Sequence, residues 1–322
     1  MTAKQRRLES GDMGKRSFAD YHAACRLLVD GFGRNGIVQH LSAADFGVFR
    51  ASLAKTRGPV ALGNQINRVR SVFKYAYDAG LIEHPVRFGP EFVRPAMRMV
   101  RMAKRERGPR LFEQAEIAAL LEGASPTLRA MVLLGINCGL GNTDIAELPI
   151  SGLDLKRGTL DFPRPKTGIA RRAALWPETV AAVRNYRRLR KEPADSADDN
   201  ILFITKYRQR WVRVKDPGAR SKGATKAVIS DGVGLQFGKL LRATKTHKPG
   251  RSFYSLRHTF RTVADEVGDR RAVDLVMGHE PGGDIATHYI ERIADDRLAK
   301  VSEHVRGWLF GSPGNSTALP GT

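Results

Sequence analysis

Five residues in the last two thirds of the chain have types that could do chemistry together. Lys166 stands in Pro165-Lys166-Thr167-Gly168. Tyr254 and Arg257 open the run Tyr254-Ser255-Leu256-Arg257-His258-Thr259-Phe260. His279 ends Met277-Gly278-His279, and Tyr289 ends Thr287-His288-Tyr289 ten residues later. Arg offers a planar fork of donors to an anion, Lys and His move protons, and a Tyr hydroxyl can act as a nucleophile. Singly, each has an ordinary structural reading: an ion-pair Arg, a Gly-His helix cap, a packed Tyr. Their order is more specific than any member. The usual catalytic signatures GxxxxGK[ST], HExxH and a complete GxGxxG are absent from the sequence. Gly139-Leu140-Gly141 lacks the third glycine.

The elements that must position these residues follow from periodicity and punctuation. The first third reads as a bundle of four or five helices. Phe18, Tyr21, Cys25 and Leu28 fall at helix spacing. Ser42-Ala43-Ala44-Asp45 is a capping signal before a helix carrying Phe46, Phe49 and Leu53. Ile66, Val69, Val72, Phe73, Ala76 and Tyr77 share one face of a helix over 64–79, and Gly80 stops it. Further helices are expected at 113–122, 126–138, 177–191, 230–243, 254–267, 270–277 and 294–308. Short strands are expected at 159–162, 169–175 and 201–204, with Lys166 on the turn between the first two. The fold class is therefore mostly α with a small β-sheet (α+β).

Length and charge divide the chain. A prior of ~100–200 residues per domain gives two domains in 322 residues. The boundaries expected are an N-terminal helical domain at 1–92, a basic linker at 93–111, a larger domain at 112–310 and a disordered tail at 311–322. The chain holds 54 Lys and Arg against 33 Asp and Glu, a formal net charge of +21. An excess of this size is usually kept because a polyanion neutralises it. It is spread over both halves, since residues 1–110 carry 21 basic against 9 acidic side chains. A chain that clamps a polyanion between two domains has this distribution. In the linker, Arg94, Arg98, Arg101 and Arg105 are spaced to form one helical stripe, with Lys104 beside it, suited to a phosphate backbone. Arg68 and Lys74 project from the 64–79 helix away from its apolar face.

Cys25 and Cys138 suggest neither a disulfide framework nor a cysteine-rich metal site. No apolar run approaches the ~18 residues of a membrane span, and the first residues lack the apolar core of a signal peptide. A cytoplasmic, nucleoid-associated setting with no membrane partner is the expectation.

The order Lys166, Tyr254-Ser-Leu-Arg257-His-Thr-Phe260, Met277-Gly-His279 and Tyr289 resembles the catalytic domain of the tyrosine recombinase (phage integrase) family. The N-terminal bundle with its Gly80-Leu-Ile-Glu-His-Pro85 ending is similar to that family's core-binding domain. The resemblance covers residues 15–310. It implies double-stranded DNA as partner and site-specific cutting and rejoining through a 3′-phosphotyrosine on Tyr289. It implies that Arg257 holds the non-bridging phosphate oxygens, that Lys166 protonates the leaving 5′-oxygen, and that His279 and Tyr254 assist at the phosphate. It implies no cofactor and no metal. It also implies four protomers on paired sites, with residues 294–310 docking on a neighbour or on their own domain, and room for an accessory DNA-bending factor.

Two positions depart from the family pattern. A first catalytic Arg belongs in a segment like GLRxxEIxxL, and residues 139–148 read GLGNTDIAEL, with Gly141 in its place. Losing one charge-assisted phosphate interaction costs about 10²–10³ in rate by analogy with a missing oxyanion donor. The second departure is Tyr254, where a His is usual. Candidates to fill the gap are Arg261, one turn after Arg257, and Arg171 and Arg172, which flank the hairpin, with Arg172 put first. Asn142 with backbone amides is a third. The remaining alternative is a catalytically impaired DNA-binding protein of the same fold, acting as a regulator.

Overall fold

The computed structural model describes residues 2–215, 228–280 and 292–311. Thr287, His288, Tyr289 and the tail beyond Gly311 lie outside the described residues. The chain forms two compact units, one of Met1–Pro109 with Val214–Ile229 and one of Arg110–Arg213 with Ser230–Thr322. Among the described residues, no helix is long and apolar enough to cross a membrane.

The first unit holds helices α1 (Thr2–Glu9), α2 (Lys15–Phe32), α3 (Ala43–Ala54), α4 (Pro59–Asp78) and α5 (Met97–Arg107). The Ser42 signal forms as expected: the Ser42 N–H donates to Asp45 Oδ2 at 2.8 Å, and the Asp45 N–H returns to Ser42 Oγ. Pro59 takes the first position of α4, where its missing N–H costs nothing. After α4, Gly80 adopts φ +65°, a conformation that strains any residue with a β-carbon. The core is aromatic. Phe46 meets Phe32, Phe73, Phe88 and Phe92 at centroid separations of 4.9–5.5 Å. The stretch expected as a linker contains α5, which buries none of its residues and ends at Gly108.

The second unit is helical around a small antiparallel sheet. Its order begins α6 (Gln114–Gly123), α7 (Pro126–Asn137), α8 (Asn142–Glu147), β1 (Leu153–Asp154), β2 (Thr159–Asp161), β3 (Arg172–Ala174) and α9 (Pro177–Leu189). The sheet runs β1-β2-β3, with Leu153 opposite Leu160 and Leu160 opposite Ala173. A two-stranded ribbon of β4 (Val212–Lys215) and β5 (Val228–Asp231) follows in the chain. Helices α10 (Gly232–Ala243), α11 (Tyr254–Asp265), α12 (Arg270–Met277) and α13 (Asp295–Phe310) complete the unit.

Helix α7 is its axis. Every residue from Ala130 to Asn137 is buried, because α6, α8, α9, α11 and α13 surround it. Three strand expectations differ from the structure in extent. The run 159–162 pairs over Thr159–Asp161 and the run 169–175 over Arg172–Ala174. Residues 201–204 form two isolated bridges, Pro149 with Ile201 and Ile204 with Arg210, and pack inward without a ladder.

Of the two docking modes open for 294–310, the structure has α13 on its own unit. Leu298, Val301, Val305 and Leu309 are buried there. Arg297 makes two hydrogen bonds of 2.7 Å to Asp269, and Arg306 pairs with Glu178. The Trp176 indole N–H donates to the Ser302 carbonyl at 2.8 Å.

Candidate active site

Helix α11 begins at Tyr254, so Arg257 points into the unit from its first turn. Its side chain is 1% exposed. The guanidinium is held by backbone carbonyls, donating to Gly139 from Nη1 and to Met277 at 2.8 Å from Nη2. These carbonyls sit at the ends of α7 and α12, where helical acceptors lack intrahelical partners. Burial lowers the Arg257 pKa to about 10 against the opposing influence of Tyr254 and Asp144, so it stays charged at neutral pH.

Nη2 of Arg257 also meets His279 Nε2 at 2.7 Å. A guanidinium can only donate, so Nε2 accepts and His279 is neutral with its proton on Nδ1. Nδ1 faces Asp274 Oδ1 at 3.7 Å. Burial lowers the His279 pKa first, and the charges of Arg257, Arg164 and Arg261 lower it further. Gly278 lets the chain turn from α12 to His279 with φ +59° and ψ 46°. In this arrangement one guanidinium and one neutral imidazole share a hydrogen bond beside two further arginines, Arg164 and Arg261, which is a site prepared for an anion.

The space at Gly141 is occupied. A β-carbon built there would lie 3.2 Å from Tyr254 Cδ2 and 3.3 Å from Cε2. The Gly141 N–H donates to Asp144 Oδ2 at 2.8 Å, opening α8. Asp144 is not among the residues that sequence reasoning singles out. Its other oxygen lies 3.3 Å from Nη2 of Arg171.

The sequence candidates for the missing guanidinium have other partners. Arg172 pairs with Asp295 at 3.0 Å, and Asn142 Nδ2 donates to Asp231 at 2.8 Å. Arg261 pairs with Asp265 at 3.0 Å and approaches Asp274, the carboxylate behind His279, at 3.5 Å. Lys166 is exposed on its turn, which Gly168 closes by donating to the Arg164 carbonyl at 2.8 Å. Tyr254, Arg257 and His279 are thus brought together; Lys166 stands apart on the hairpin tip, and Tyr289 is outside the described residues.

Of the two arginines beside the hairpin, the sequence puts Arg172 first, but it is Arg171 that is buried. Strand parity points to it: Ala173 and Leu175 face the core, so Arg171 faces inward with them and Arg172 outward.

The basic residues of the first unit fall into two groups. Arg68 pairs with Asp20 at 2.6 Å and Lys74 with Asp78 at 2.8 Å. Arg94, Arg98, Arg101, Lys104 and Arg105 are exposed, and none pairs with a carboxylate among the described residues.

No family model matches the chain. In sequence it is 23% identical over 245 residues to the tyrosine recombinase XerC of Alcanivorax borkumensis, a match spanning 73% of this chain and 70% of that protein. In fold it is similar to the Tn1549 transposon integrase in complex with a circular intermediate DNA, with a TM-score of 0.64 and 15% identity over 93% of this chain and 97% of that one. It is also similar to a lambda integrase dimer bound to a COC′ core site, with a TM-score of 0.61 and 13% identity over 91% and 97%.

Proposed function

For a chain that belongs, by fold and by sequence likeness, to the tyrosine recombinase (phage integrase) family, we propose site-specific cutting and rejoining of double-stranded DNA through Tyr289. The Tyr289 hydroxyl gives its proton to the neutral His279 or to water as its oxygen attacks a backbone phosphorus, the bond to the 5′-oxygen breaks, and a 3′-phosphotyrosine forms. Lys166, on an exposed hairpin turn, delivers the proton that the leaving 5′-oxygen takes up. Arg257 stabilises the charge that grows on the non-bridging oxygens. His279 shares the hydrogen-bond network of that phosphate. Attack of a second strand's 5′-hydroxyl on the phosphotyrosine reverses the step, so the bond energy is conserved without a nucleotide cofactor.

The observation that carries this reading is the Arg257–His279 hydrogen bond, with Arg257 buried and charged beside a neutral imidazole. A guanidinium whose in-plane partners are two carbonyls and an imidazole has no carboxylate to give up when a phosphate arrives. The unpaired cations of α5 supply a track for the backbone of the same duplex. Four protomers on two paired sites complete the reaction, and a DNA-bending protein is an accessory to it.

The test is a library of nicked duplexes with randomised core sequence, incubated with the full chain and run on a denaturing gel. The expected result is a covalent adduct that disappears in Tyr289→Phe while duplex binding persists. Specific duplex binding with no adduct would favour the second reading, a DNA-binding regulator of the same fold, for which the absence of an arginine at Gly141 speaks.

A further inference from the structure

Arg171 is a buried charge whose one ion-pair partner, Asp144, leaves its hydrogen-bonding capacity unfilled. Its side chain is 0% exposed, and Nε, Nη1 and Nη2 all lack a hydrogen-bond partner. The Asp144 carboxylate at 3.3 Å is in ion-pair range but outside hydrogen-bond geometry. Enclosing a guanidinium with one ion-pair partner and no hydrogen bond is costly, and that cost is kept where something binds to it or where the pair has a structural purpose.

Its position chooses between these. A β-carbon on Gly278 would lie 3.0 Å from Arg164 Cβ and 3.2 Å from Arg171 Nε, the guanidinium nitrogen nearest to it. Gly278 is the middle of the tripeptide whose first carbonyl and last imidazole both accept from Arg257. Arg171 therefore lies against the tripeptide that holds Arg257, and the glycine at its centre leaves space for Arg171 and for the stem of Arg164. On its other side Arg171 is one carboxylate away from Gly141, because Asp144 meets Arg171 through Oδ1 and the Gly141 N–H through Oδ2. Phe162, whose ring centroid is 5.9 Å from the Arg171 guanidinium carbon, lies beside it.

We infer that Arg171 supplies the second guanidinium of the phosphate site, reaching from the position just before β3 the place that an arginine at position 141 would reach from the cap of α8. The inference rests on the strand-transfer reading of that site. Arg171 donates to a non-bridging oxygen, Arg257 to the other, and Asp144 holds Arg171 in the absence of an anion.

The test uses the full chain and inorganic phosphate, followed by titration calorimetry at neutral pH and low ionic strength. Arg171→Gln should weaken phosphate binding about tenfold or more, as Arg257→Gln should, because each removes a charge-assisted donor pair. Surface cations are untouched by either change, so the loss reports on this site. Arg171→Gln with wild-type phosphate affinity, beside a weakened Arg257→Gln, would make Arg171 a structural partner of Asp144 and overturn the inference. If Arg171→Gln does not fold, the wild-type chain decides by NMR. The Arg171 Nε–H resonance, assigned by its loss in Arg171→Lys, should shift along the same binding curve as that of Arg257, and a resonance that phosphate leaves unmoved would equally overturn it. Failure of the strand-transfer reading is seen separately, as no Tyr289-dependent adduct from a chain whose phosphate affinity still depends on Arg171.

Discussion

The ring of Tyr254 lies 3.2 Å from the point to which a β-carbon on Gly141 would project. The backbone at Gly141, with φ −93° and ψ 178°, is extended and open to any residue. What crowds a side chain there is the aromatic ring, not the main chain. The two departures from the family pattern are therefore one packing arrangement: a large ring at 254 fills the volume that a side chain at 141 would need.

A substitution cycle tests this coupling. Gly141→Arg alone should cost about 1 kcal/mol, at the low end for overpacking, because the half-exposed ring can give way by a few tenths of an ångström. In a Tyr254→His background the same substitution should cost less, with an interaction energy above about 0.5 kcal/mol. Urea melts of the four proteins measure it, and additive costs would show that ring and glycine are independent.

The cations of the first unit should separate by their partners. Arg98, Arg101 and Lys104 are unpaired with carboxylates, whereas Arg68 and Lys74 already hold Asp20 and Asp78. Replacing the first three by Ala should weaken binding to all duplexes and lower the slope of log K against log salt by ~0.9 for each phosphate that is no longer neutralised. Replacing Arg68 and Lys74 should change the slope less. Fluorescence anisotropy over a salt series reads both, and equal slopes would refute the division.

His279 gives a pH dependence with a defined sign. Its folded pKa is lowered, so the folded state disfavours the protonated ring. The contribution to stability is whole above the unfolded value near 6.5 and is lost as pH falls through the lower folded value. Melts of the wild type should show this decline on the acid side, and His279→Gln should remove that part of it. An unchanged profile in the variant would assign the decline to other groups.

What the sequence makes legible is local. Ser42 and Asp45 spell a capping box whose two partners are three residues apart, and α7 announces its burial through Leu128, Met131, Val132, Leu134 and Gly135. The hairpin tip with Lys166 is readable from Pro165 and Gly168. What stays hidden is tertiary. Arg171 and Arg172 are chemically alike, and only the parity set by Ala173 and Leu175 separates an inward guanidinium from one turned to Asp295. Tyr254 and Gly141 are 113 positions apart, and no spacing rule links them. Residues 201–204 have the composition of a strand, but their neighbours offer bridges instead of a ladder.

The seat of α13 depends on one buried amide. Asn137 Nδ2 donates to the Ala174 carbonyl at 3.0 Å and to Ser302 Oγ at 3.1 Å, while its Oδ1 accepts from the Trp176 N–H at 2.9 Å. It thereby joins α7, the end of β3 and α13, with Asn137 and Ser302 both buried. Asn137→Ala leaves the Trp176 N–H without that acceptor and removes both donors, so it should cost about 2–3 kcal/mol. Ser302→Ala removes the hydroxyl that donates to the Ala174 carbonyl at 2.8 Å, and should cost about 1 kcal/mol because Asn137 still serves that carbonyl. Denaturant melts give the two costs, and hydrogen exchange along Leu298–Leu309 should quicken more in Asn137→Ala than in Ser302→Ala. Equal exchange in both would mean that the apolar face of α13, and not this network, fixes the helix on its own unit.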